Sequence, residues 1–93
     1  MLRNRGRRVG TIRITRSDID PFIQALSDWC AYERLKVRKI GVEKGFLKVN
    51  IYSDTDRRYA MKRMAGKLER RGCVIRRFGD PNSIIVLIPL STR

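Results

Sequence analysis

Histidine is absent from this chain, which removes the commonest general base, the commonest metal ligand and every Ser-His or Cys-His nucleophile pair. Cysteine is nearly absent. Cys30 and Cys73 cannot complete a four-ligand zinc site by themselves, and each lies in an apolar pattern rather than a CxxC, so both are expected as free, buried thiols. No apolar run approaches the roughly 20 residues of a membrane span, and the basic stretch 1–8 leads into no apolar segment of the kind a secretory signal carries. The expectation is an intracellular (cytoplasmic) protein, off the membrane, with no cofactor and no metal. Acidic residues are scarce too: nine Asp and Glu face 22 Lys and Arg, a formal net charge of +13.

What remains is a chain of 93 residues, 42% of them hydrophobic, which is enough for one domain with a modest core and too much for wholesale disorder. The cations are unevenly spread. Residues 1–16 hold Arg3, Arg5, Arg7, Arg8, Arg13 and Arg16 with no acid, and residues 57–77 hold nine Lys or Arg against Glu69 alone. Ion-pair networks of the thermophilic kind need both signs, and membrane-surface binding needs a basic helix whose apolar face is free of packing duties. Arginine dominates over lysine, and its planar fork suits bidentate phosphate contacts and stacking on bases. The expected partner is nucleic acid.

Residues 1–9 read as a basic flexible arm and 10–93 as a single α+β domain. The alternation in Thr11-Ile12-Arg13-Ile14-Thr15 predicts a half-buried strand with both isoleucines inward and Arg13 outward. Ser17-Asp18-Ile19-Asp20-Pro21 predicts a helix start, with Asp20 as cap and Pro21 at the first helical position. That helix should run to about Leu35, its apolar stripe made by Ile19, Phe22, Ile23, Leu26, Trp29 and Cys30. Between 36 and 53 the period returns to two, which puts Ile40, Val42, Leu47, Val49 and Ile51 on one face around a reversal at Lys44-Gly45. Ser53-Asp54-Thr55-Asp56 repeats the start signal before a second helix to about Arg71, with Ala60, Met61, Met64, Ala65 and Leu68 inward and Gly72 as its C-terminal cap. Strands at 73–78 and 84–88 complete the order βαββαβ(β). Two interleaved right-handed βαβ units of this kind make a ferredoxin-like sandwich, an antiparallel sheet with both helices on one face.

Paired aspartates raise the question of a metal-dependent nuclease, because carboxylate pairs can hold Mg²⁺ for phosphodiester cleavage. Asp18, Asp20, Asp54 and Asp56 all precede helices, where Asp satisfies free backbone N–H groups, so capping is the expected role and an enzyme is not expected. The outward face of the sheet is more informative. Alternation places Arg13, Lys39, Phe46, Lys48, Asn50 and Tyr52 there, and aromatics interleaved with cations form a stacking platform for unpaired bases.

Lys44-Gly45-Phe46-Leu47-Lys48-Val49-Asn50-Ile51 resembles the octapeptide of the RNA-recognition motif family in its basic residue, glycine, first aromatic and valine. Residues 54–68, with Ala60-Met61 and Met64-Ala65-Gly66-Lys67-Leu68, are similar to that family's second helix, and the likeness in element order covers about residues 10–78. It implies single-stranded RNA lying across the sheet and held at Phe46. Two departures stand out: Lys48 replaces the octapeptide's second aromatic, and Arg13 stands where the family's other motif usually has an aromatic. Cations would then do more of the binding.

The alternative surface is the second helix with the turn 76–83, which resembles the recognition helix and wing of winged-helix DNA-binding domains, although those folds have three helices. The expected function is a small basic RNA-binding protein, such as a ribonucleoprotein or ribosome-associated subunit. A DNA-binding regulator or chromatin-type protein is the alternative, and a nuclease the lesser one. The candidate ligands of nucleic acid are Arg3, Arg5, Arg7, Arg8, Arg13, Lys39, Lys44, Phe46, Lys48 and Tyr52, together with Arg57, Arg58, Lys62 and Arg63 on the second helix.

Overall fold

Two helices and four strands build the protein, seen in a computed structural model that describes residues 11–91. The expected arm, with Arg3, Arg5, Arg7 and Arg8, lies outside the described residues. In chain order the elements are α1 (Ile19–Ala31), β1 (Lys36–Glu43), β2 (Phe46–Tyr52), α2 (Arg58–Arg70), β3 (Val74–Arg76) and β4 (Ser83–Pro89). All strand pairings are antiparallel and the sheet runs β1-β2-β4-β3. The class is α+β and is compatible with the ferredoxin-like arrangement.

One face of the sheet makes the core. Leu47, Val49 and Ile51 on β2 pair with Ile88, Val86 and Ile84 on β4, and all six are buried under the helices. The stripes expected on the helices supply the other side: Ile19, Leu26 and Cys30 from α1, and Ala60, Met61, Met64, Ala65 and Leu68 from α2. Burying each such large aliphatic side chain contributes about 1.5–3 kcal/mol. The β1–β2 reversal is the two-residue turn expected, with Lys44 at φ 52° and Gly45 at φ 81°, the left-handed pair that matches strand twist. Both helices close on a left-handed residue: Arg34 at φ 62° after α1 and Gly72 at φ 94° after α2. In each case the next amide reaches back to the last turn, Leu35 N–H to the Cys30 carbonyl and Cys73 N–H to the Leu68 carbonyl.

Four local expectations are corrected. The segment 11–15 is not a sheet strand: it makes a single parallel bridge, Ile14 with Leu90, because the place beside β2 is taken by β4 along its full length. Its isoleucines still pack against the core. Helix α1 ends at Ala31 rather than near Leu35, stopped by the left-handed Arg34. Its start is preceded by a 3-10 turn, Arg16–Asp18, in which Asp18 Oδ2 accepts from Thr15 Oγ1 at 2.8 Å and from the Thr15 N–H at 3.4 Å; the Asp18 side chain makes no cap hydrogen bond to α1, and Asp20 lies one residue inside the helix. Finally, β1 carries a bulge between Lys39 and Gly41, which leaves Ile40 half out in solvent, 49% exposed, instead of in the core.

Candidate nucleic-acid interface

The opposite face of the sheet has no helix on it. Strand alternation and register bring together Phe46, Lys48, Asn50 and Tyr52 on β2, Ile85 and Leu87 on β4, Arg38 on β1 and Arg76 on β3. At the β1–β2 turn end, Lys44, Phe46, Lys48, Leu87, Arg76 and Phe78 line a cleft of about 360 Å³ together with Glu43. Phe78 is 73% exposed there. Lys48 Nζ donates to Glu43 Oε1 at 3.0 Å, which holds the Glu43 carboxyl below the usual carboxylate range. Among the described residues neither Lys44 nor Arg76 makes a salt bridge, and one carboxylate stands against three cations, so the cleft keeps a positive balance.

The middle of this face is held by a buried amide. Asn50 is only 4% exposed; its Nδ2 donates to Ser83 Oγ and to the Ile84 carbonyl, both at 2.9 Å, which leaves Oδ1 to accept from the Arg38 guanidinium at 2.9 Å. The guanidinium carbon lies 4.9 Å from the centroid of the Tyr52 ring. Arg38 is therefore fixed by one hydrogen bond and one cation–π contact, with four of its roughly five N–H donors still available to a ligand.

Not every expected ligand joins this face. Lys39 is opposite Val49, on the helix side of the sheet, because the bulge at Ile40 reverses the parity carried back from Val42. Arg38 takes the outward place. Arg13 adjoins the bridged Ile14 at the sheet's margin and is not on a strand paired with β2. On α2 most candidate cations are engaged. Arg57, just before the helix, donates from Nε and Nη2 to the Glu33 carbonyl at 3.1 and 3.0 Å, Arg58 pairs with Asp56 at 3.0 Å, and Arg63 pairs with Glu33 at 2.9 Å. Lys62 remains without a partner among the described residues.

The aspartates are occupied locally. Asp54 pairs with Lys36, raising that ammonium's pKa, and Asp56 accepts from the side chain and the backbone N–H of Arg58, which lowers the Asp56 pKa. Among the described residues no three His, Cys, Asp or Glu side chains gather as a metal site, and no helix is long and apolar enough to cross a membrane. Sequence reasoning missed Arg38, Arg76 and Phe78. For the last two a signal existed, since Val74, Arg76 and Phe78 alternate with Ile75 and Arg77. No protein-family model, curated protein or solved structure matches this chain.

Proposed function

We propose that the open face of the sheet binds single-stranded nucleic acid, RNA in preference to DNA, and that the protein acts inside the cell as a small ribonucleoprotein component. The observation that carries this reading is the cleft in which two aromatics, Phe46 and Phe78, stand among Lys44, Lys48 and Arg76 on a surface no helix covers. Aromatic faces stack bases of any sequence, and the cations track the backbone. The likeness of residues 44–51 to the RNA-recognition octapeptide adds the preference for RNA. Against α2 as a DNA-groove reader stand the internal partners of Arg57, Arg58 and Arg63.

The test is binding of single- and double-stranded RNA and DNA by the purified protein at several salt concentrations. Single-stranded RNA should bind tightest, with log K falling linearly against log salt by about 0.7 per phosphate neutralised. Phe46→Ala with Phe78→Ala should weaken it by about 1–3 kcal/mol per stacked base while the melting temperature holds. Tightest binding to duplex DNA, unaffected by this pair, would refute the reading.

A further inference from the structure

Strand β3 stands at the end of the sheet, and the residues at its end belong to two different hollows. Arg76 and Phe78 line the cleft on the open face, whereas Arg77 between them lines a second hollow of about 330 Å³ on the helix side, with Arg58, Tyr59 and Lys62 from the start of α2. Five large hydrophobic side chains are exposed among the described residues, and three of them, Tyr59, Val74 and Phe78, belong to β3 or to these two hollows. Tyr59 is as exposed as Phe78, at 73%. The acid in the second hollow, Asp80, is turned onto the Asn82 N–H at 2.8 Å, and Lys62 and Arg77 have no partner among the described residues.

An aromatic on each side of an uncovered sheet edge, with two consecutive arginines between them, is a path rather than a pair of pockets. We propose that a bound single strand continues from the open face around the end of β3 into the groove against α2, with Arg76 and Arg77 holding successive phosphates and Tyr59 stacking a base beyond the edge. This rests on the open face being the primary site, and it adds a second segment to that site with its own ligands. Lys62 then contacts the strand's backbone instead of a DNA groove.

Length dependence separates the two segments. Labelled oligouridylates of about 4, 8 and 12 nucleotides would be titrated by anisotropy into the wild type, Tyr59→Ala/Arg77→Gln and Phe46→Ala, at two salt concentrations. Both altered residues of the double variant are exposed, so the fold should persist, as circular dichroism and melting would check; Lys62→Glu provides a second variant at the same groove. Affinity of the wild type should rise with length. The edge variants should lose about tenfold on the longer oligomers and nothing on the shortest, with the salt slope for the longer ones reduced by about 0.7. Phe46→Ala should weaken all lengths. Equal losses at every length in the edge variants, or no loss at any, would overturn the path around β3 while leaving the open-face site standing. Absence of wild-type binding at every length would remove both.

Discussion

At the scale of single residues, Asn50 is the most consequential polar group. It is the buried amide that ties β2 to β4 and aims Arg38 across Tyr52, so its removal is expected to act on both stability and the proposed interface. Asn50→Ala leaves a buried carbonyl and a hydroxyl short of a donor, an expected loss of about 1–3 kcal/mol by denaturant melt. Binding of single-stranded RNA should weaken further than Arg38→Ala alone weakens it; equal affinities for the wild type and both variants would mean that Arg38 is not a ligand. The thiols give a second prediction. Burial pushes Cys30 up to about 12 and Cys73 up to about 11, against about 8.5 in an unfolded chain. Because the folded values are raised, their contribution to stability is complete below about pH 8.5 and is lost as pH rises toward the folded values. Alkylation at pH 8 should therefore be slow in the native protein and fast in denaturant, and the alkaline fall in melting temperature should be shallower in Cys30→Ala/Cys73→Ala. Rapid native labelling would contradict their burial.

At the scale of elements, α2 looks like a ligand-binding helix by composition and is held like a structural one. Arg57, just before its first turn, clamps the carbonyl of Glu33 beyond the end of α1, and Arg63 takes the carboxylate of the same residue. Arg57→Ala should lower stability by about 1.5–3 kcal/mol, the range for hydrogen bonds to a charged group, and leave RNA affinity unchanged after correction for unfolding. A loss of affinity at unchanged stability would return Arg57 to the interface.

The same elements mark what could be read from the chain. The helix stripes, the Lys44-Gly45 turn, the Gly72 cap and the inward Leu47, Val49 and Ile51 all follow from local periodicity and backbone preference, and the structure carries each of them. Pairing is not local. The alternation at 11–15 is as strand-like as that of β2, yet the slot beside β2 goes to β4, whose register runs without a break from Phe46↔Pro89 to Tyr52↔Ser83. A one-residue bulge is equally invisible, and it moved Lys39 to the helix side and put Arg38 in its place. The Asp54 and Asp56 pair reads as a repeat of Asp18 and Asp20, but Asp54 binds Lys36 across the hairpin instead of capping.

At the scale of the whole molecule, the net charge of +13 makes association with polyanions a general property of the surface, so affinity alone does not locate the interface. What distinguishes the open sheet face is that its cations stand beside aromatic side chains and a fixed guanidinium, whereas Arg57, Arg58 and Arg63 at α2 are held by a carbonyl and carboxylates of the same chain. The most direct test is an amide-resolved NMR titration of the full chain with a short single-stranded RNA. The largest shifts are expected at Phe46, Lys48, Asn50 and Tyr52 on β2, at Arg76 and Phe78, and at the Arg38 side chain, with residues 63–70 of α2 little changed. Shifts confined to α2, with β2 and Arg38 unmoved, would contradict the assignment of the sheet face as the nucleic-acid interface.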